Sequence, residues 1–205
     1  MAITSAICNS FKEEILQGGH CLNASGSTAA GNTIKCALYS SNSATLSKST
    51  TVYTAPADAT ADPTNTYEVT TTGSGYTGGG SALTNIDVTL ATDTAVCDFS
   101  DTSWTSASFT ARGLLLYNTT AITGFTTNRS ILAINFGGDK TVTSETFTIE
   151  FPSAAASTAI IQLALGVLPY GCNMGYKHLG GQFLAIRNSH RYINWRISNF
   201  ISWKR

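Results

Sequence analysis

The sequence predicts a mainly β fold: a β-sandwich or jelly roll of about eight strands, with one N-terminal amphipathic helix and an extended C-terminal arm. Three observations carry this. Short segments alternate apolar and polar residues at period two. Gly-, Thr- and Ser-rich loops separate them at short, irregular spacing, and no long helical patterns alternate with them, which disfavours a parallel α/β fold. Charged residues make up 12% of the 205-residue chain while 42% are hydrophobic. That balance describes a packed core beneath a polar, uncharged surface. The implied division is a helix over 1–19, a β body over 20–165 and a basic aromatic arm over 166–205.

Residues 3–17 read as the helix. Ile3, Ile7, Phe11 and Ile15 recur at four-residue intervals, and Cys8 and Leu16 widen the stripe. Thr4 or Ser5 is placed to cap the start, and Gly18-Gly19 to stop it. Such a helix either lids an open end of the β body or docks on a neighbouring subunit. In the second case Phe11 and Ile15 are contact residues. The stretch 20–33 is a small-residue link.

Ile34 to Ser40 is the first core strand, with Ile34, Cys36 and Leu38 on one face and Lys35, Ala37 and Tyr39 on the other. The stretch 41–51 is a polar loop, and 55–65, with Pro56 and Pro63, is an exposed one. Tyr67 to Thr70 is a short strand. The run Gly73-Ser-Gly-Tyr-Thr-Gly-Gly-Gly80 matches neither a Walker motif nor a dinucleotide fingerprint. It reads as a wide loop with several positive-φ positions, holding Tyr76 at a contact surface. Leu83 to Leu90 alternates, with Ile86, Val88 and Leu90 facing in. Val96 to Phe99 is another short strand, followed by a turn at Asp98 and Asp101.

Trp104 to Asn118 is the central strand signal. Alternating residues as far as Ala111 meet an apolar run, Leu114 to Tyr117, at Arg112-Gly113. Two strand segments joined by a kink are expected there. Phe109 and Leu114 to Leu116 belong to the core, whereas Trp104, Arg112 and Tyr117 remain as surface contacts. The stretch 119–129 is a loop. Ser130 to Phe136 is a strand, Gly137-Gly138-Asp139 a tight turn, Phe147 to Phe151 a strand ended by Pro152, and Ala159 to Leu165 the last apolar run.

Net charge is zero, but its distribution is uneven. Residues 1–150 hold all 12 acidic residues and six basic ones, and 151–205 hold six basic residues and no acid. The arm also carries Tyr170, Tyr176, Phe183, Tyr192, Trp195, Phe200 and Trp203, and Ile193, Ile197, Phe200 and Ile201 have the spacing of a short amphipathic helix. Arg187, Arg191, Trp195, Arg196 and Trp203 are its candidate contacts. Three readings stand: a strap onto the protein's own assembly, an accidental extension from a reading-frame change, or a contact with nucleic acid or a membrane surface.

The sequence offers no catalytic constellation, and the chain reads as non-enzymatic. His20, His178 and His190 lie outside the strand signals, with no nucleophile elbow beside them. Asp98 and Asp101 are explained by turn chemistry. The five cysteines, Cys8, Cys21, Cys36, Cys97 and Cys172, match no metal or redox spacing and read as mostly buried apolar residues. No cofactor, metal or small-molecule substrate is expected. A signal peptide and a membrane-spanning run are not apparent, so synthesis in a cytoplasm without general secretion is expected.

Five segments together resemble a family of small virion proteins of tailed bacteriophages. They are M-A-I-T-S-A-I-C-N-S-F-K-E-E-I-L-Q-G-G-H, I-K-C-A-L-Y-S-S-N-S-A-T-L-S, Y-E-V-T-T-T-G-S-G-Y-T-G-G-G, F-T-A-R-G-L-L-L-Y-N and I-L-A-I-N-F-G-G-D-K. The resemblance covers about residues 1–165, and the basic arm departs from it. It implies a structural part of a phage particle made in a bacterial cytoplasm. Within it, a capsid cement or decoration protein on the outer shell is expected, with the major capsid protein and copies of itself as partners, in trimers at local threefold positions. A neck or tail ring competes with that reading. A carbohydrate-binding module is the third class, with Tyr76, Trp104 and Tyr117 as sugar-stacking aromatics.

Overall fold

In a computed structural model the described residues are 3–23, 31–40, 45–54, 67–84 and 88–165, with short strand segments at 178–179, 182–183, 193–196 and 202–204. Among the described residues the protein is mainly β, built from two antiparallel sheets, a small two-stranded pairing and one short helix, and neither main sheet closes into a barrel. In chain order the elements are β1 (Ala6–Ile7), α1 (Asn9–Leu16), β2 (Ile34–Tyr39), β3 (Ser81–Ala82), β4 (Thr89–Ala91), β5 (Thr94–Cys97), β6 (Thr102–Asn118), β7 (Arg129–Glu150), β8 (Ile161–Leu165), β9 (His178–Leu179), β10 (Gln182–Phe183), β11 (Ile193–Arg196) and β12 (Ser202–Lys204). The main sheet runs β1-β7-β6-β2-β3, with β12 also on β7; the second runs β11-β8-β5-β4; β9 and β10 pair with each other.

Period-two alternation places the core on both sides of the main sheet. Ile34, Cys36, Leu38, Leu114, Leu116, Leu132 and Ile134 enter the larger core, which reaches Phe11 of α1 and Cys97 and Ile161 of the second sheet. Ala37, Tyr39, Leu115, Tyr117 and Ala133 enter a smaller core with Ile3, Leu46 and Tyr53. Thus both faces of β2 and of the adjoining parts of β6 and β7 are buried.

The helix is shorter than the apolar spacing predicts. Asn135 Nδ2 donates to the Ile3 carbonyl at 2.6 Å, and Thr4 N–H donates to Leu46 O at 2.8 Å. Ser5 Oγ accepts from Asn135 N–H at 3.0 Å instead of capping a helix. Ala6 and Ile7 then pair with Ala133 and Leu132 as β1. Ile3 and Ile7 are buried all the same, because an extended segment laid on a sheet also presents residues inward. The helical N-cap is Cys8, without a side-chain cap bond. The stop is as expected: Gly18 at φ +79 and a Gly19 N–H to Glu14 O bond of 2.7 Å close a Schellman motif.

β6 and β7 are each continuous where the sequence predicts two pieces. β6 and β7 pair from Thr102↔Ile149 to Asn118↔Arg129, with irregular register at several points. The turn expected at Gly137-Gly138-Asp139 is a wide bulge lying between the Ala111↔Lys140 and Gly113↔Asn135 pairs, so the ladder resumes on both sides. The kink expected at Arg112-Gly113 is the other half of the same irregularity. Gly113 has a steric cause: a Cβ there would sit 2.4 Å from Ile134 O.

Other expectations change as well. Tyr67 to Thr70 contributes a single bridge, Tyr39↔Glu68, in place of a strand. Val88 and Leu90, expected to face inward, are 42% and 72% exposed; Leu90 lies in β4, a three-residue strand at the edge of the second sheet, and Val88 just before it. Ile86 lies outside the described residues. In the arm, Ile193 lies in a strand and not a helix, while Ile197, Phe200 and Ile201 fall outside the described residues. β11 pairs with β8 and β12 with β7, so described parts of the arm extend both sheets.

Candidate functional site

The second sheet carries a row of apolar positions. Cross-strand pairing aligns Leu90 with Ala95 and Ala95 with Leu163. Beside them lies a cleft of about 300 Å³ between this sheet and the end of α1. Ile15, His20, Cys21 and Leu22 line it from the α1 side, and Val88, Val96 and Leu163 from the sheet. Val88 of its lining is exposed, as is Leu90, which pairs with Ala95 of the lining; Leu16, which follows Ile15 in α1, is 76% exposed. Burial pushes the Cys97 thiol up to about 12, so this cleft cysteine is a neutral thiol at ordinary pH. The arrangement is a contact surface of apolar knobs around a hollow.

Two buried polar clusters fix elements of the fold, the first of them beside this cleft. In the first, Arg129 is fully buried and meets three groups, two of them distant in sequence. Its Nη2 donates to Gly19 O at 2.6 Å, its Nη1 to Thr126 O at 2.5 Å, and its Nε lies 3.5 Å from Glu14 Oε2. The guanidinium also stacks over Phe125 at 5.4 Å. Burial pulls Arg129 below its usual value and the Glu14 carboxylate opposes that pull. Glu14 Oε2 also lies 2.8 Å from His20 Nε2. The end of α1 is thereby tied to the start of β7.

The second cluster lies under the glycine-rich loop. Glu68 Oε1 accepts from Tyr76 Oη at 2.7 Å and from Gly79 N–H at 2.7 Å, and its Oε2 accepts from Tyr53 Oη at 2.9 Å. Tyr76 Oη itself accepts from Leu38 N–H at 3.0 Å. Burial, reinforced by Glu68, holds the Tyr53 and Tyr76 hydroxyls far above their usual value, so both remain donors. Tyr117 donates to Gly79 O at 2.6 Å and stacks on Tyr53 at 4.1 Å. The loop has its expected positive-φ glycines at 73, 75, 79 and 80. At Gly80 a Cβ would fall 1.8 Å from Cys36 O. The loop is a clamp on β2, and its chemistry is structural.

The expected contact residues divide accordingly. Phe11, Tyr76 and Trp104 are buried core residues. Phe11 lies edge-on to His20, and Tyr76 lies 6.1 Å from both Trp104 and Phe109. Tyr117 is 2% exposed, so none of the three sugar-stacking aromatics presents a free ring face. Tyr76 and Trp104 point into the larger core and Tyr117 into the smaller one. Ile15 is half-buried and lines the cleft. Arg112 lies on the outer face, 3.3 Å from Asp139. Trp195 stands opposite Leu163, Arg196 opposite Gln162 and Trp203 opposite Ile149. Arg187 and Arg191 lie outside the described residues.

Sequence reasoning missed Glu14, His20, Glu68, Asn118 and Arg129. A signal existed for two of them: in a chain with so few charges, an ionisable residue inside or just before an apolar strand needs a buried partner. Cys8, Cys36 and Cys97 are buried free thiols, Cys21 is half-buried, and Cys172 lies outside the described residues. Among the described residues no cluster of His, Cys, Asp or Glu could hold a metal ion. The chain matches no protein-family model, no curated protein and no solved structure.

Proposed function

We propose that this chain is a non-enzymatic virion component of a tailed bacteriophage, a cement or decoration protein that seats on the outer capsid surface and bridges capsomers. The exposed apolar residues of α1 and the second sheet carry the reading. Among the described residues Leu16, Val88 and Leu90 stand in solvent, with Val52 exposed elsewhere at 38%, while most other large apolar residues are buried. Such residues gain by being covered. The partners are the major capsid protein and further copies of this chain, as trimers. The resemblance supports the same reading. Its segments contribute α1, β2, the Glu68 loop and the joined halves of β6 and β7, which pack into one unit. Modest contacts repeated over a shell stabilise it by mass action.

A denaturing gel of purified particles tests this. A cement protein is expected near equimolar with the major capsid protein. A faint band assigns the chain to a neck or tail ring, and its absence from particles overturns the reading. Leu90→Asp, on an exposed edge, leaves the domain folded and is expected to reduce incorporation.

A further inference from the structure

His20 joins the end of α1 to the main sheet, and its side chain has no exposure to solvent. Its Nε2 lies 2.8 Å from Glu14 Oε2 and its Nδ1 lies 3.1 Å from Asn118 Nδ2. The Asn118 amide has one workable orientation. Its Nδ2 also donates to Asn32 Oδ1 at 2.7 Å, and its Oδ1 accepts from Thr120 N–H at 2.9 Å. Asn32 Oδ1 is an acceptor in its turn, taking Cys21 N–H at 2.8 Å. Reversing Asn118 would set two oxygens together and leave Thr120 N–H facing a donor. An amide NH₂ only donates. His20 Nδ1 is therefore an acceptor, and the imidazole carries its single proton on Nε2, directed at Glu14.

A second proton on Nδ1 has no place in this arrangement. It would face the Asn118 NH₂ inside a dry site, where an unmade hydrogen bond and a mispaired donor are costly. The surrounding groups are Glu14 and Phe11 of α1, Asn118 of β6, Asn32 before β2, Arg129 of β7 and the adjoining Cys21. Of these, Glu14 favours a charged imidazole and Arg129 opposes it. Burial outweighs Glu14, so His20 titrates below its ordinary range.

We propose that His20 is an acid-sensitive latch: neutral, it ties the end of α1 to the main sheet, and on taking a second proton it releases α1 and residues 18–23 and opens the apolar cleft beneath them. The cleft is the space that release would expose, since His20, Ile15 and Leu22 all line it. The β6–β7 ladder makes no use of His20 and stays closed. The sign follows from linkage. The released imidazole is solvated and titrates near about 6.5, above its value in the closed state. Protonation therefore adds little to opening at neutral pH. Opening grows as pH falls below about 6.5, by at most about tenfold per pH unit for this single proton.

The test uses the full chain. Imidazole nitrogen NMR at about pH 7.5 should show His20 protonated at Nε2 alone. Acidification to about pH 4.5 should then reduce hydrogen-exchange protection in 9–16 and raise binding of the apolar dye anilinonaphthalene sulfonate, while amides of 113–118 stay protected. His20→Gln keeps a donor for Glu14 and has no such titration, so its protection over 9–16 should stay level across that range. Three results would each overturn the latch: an Nδ1 proton at neutral pH, a protonated His20 with α1 still protected, or the same acid response in His20→Gln. Where the variant does not fold, the first two measurements on the unmodified chain decide.

Discussion

The β6–β7 pair is one ladder in two environments. From Gly113 to Asn118, with Arg129 to Ile134 opposite, both faces are covered. From Thr102 to Ala111, with Lys140 to Ile149 opposite, one face is core and the other is solvent. Phe109, Val142 and Phe147 are buried there, while Ser103, Thr105, Thr141 and Thr143 are not. The residues differ in the matching way. The doubly covered part is nearly continuous apolar sequence; the half-covered part alternates with Ser and Thr. The pairing is the same, so what differs between the halves is what an outward side chain costs or contributes.

The sharpest break of this comparison is steric. Gly80→Ala sets a methyl into the Cys36 carbonyl at a φ that disfavours side chains, just where the loop covers β2. A loss beyond about 4 kcal/mol is expected, read as failure to recover folded protein. Next comes Leu115→Ala, which empties a site in the smaller core. It should cost about 2–5 kcal/mol by denaturant titration, although Leu115 points away from the larger core. An effect under about 0.5 kcal/mol would show that the second face is covered but not packed. Tyr76→Phe leaves Leu38 N–H without its acceptor and removes one donor from Glu68. About 1–3 kcal/mol should be lost. At the bottom, Thr110→Ala breaks a 2.8 Å hydroxyl contact with Thr141 on the solvent face, and Asp139→Asn breaks an exposed pair with Arg112. Each should shift stability by no more than about 0.5 kcal/mol. If Thr110→Ala costs as much as Leu115→Ala, the two halves are not distinct environments.

The same contrast explains which parts of the molecule were legible in advance. The strand character of β6 was, because its alternation and apolar run are local signals, although its continuity through Arg112-Gly113 was not. β2 and β8 were readable for the same reason. β7 read as two strands, since Gly137-Gly138-Asp139 has the composition of a tight turn. Pairing with β6 on both sides turned it into a bulge, where Asp139 meets Arg112. The first turn of the helix was misread because Ile3, Ile7 and Phe11 satisfy a helical period, while bonds to Leu46, Ile131 and Asn135 drew residues 3–8 into the sheet. Leu90 looked like core and is exposed: alternation distinguishes the two faces of a strand and says nothing of how far each cover extends.

Composition and patterning by themselves determined that this protein is a β structure with a short helical start, glycine-rich loops and a low-charge surface. They did so because period, turn chemistry and apolar content act over neighbouring residues. The tertiary structure decided where the sparse charges went. Glu14 and Arg129 meet His20, and Glu68 gathers Tyr53 and Tyr76, across separations that no local pattern records. Buried polar groups must find partners wherever the folded chain brings them together. For that reason the cluster beside the α1 cleft and the one under the glycine-rich loop belong to the fold and not to any one stretch of sequence.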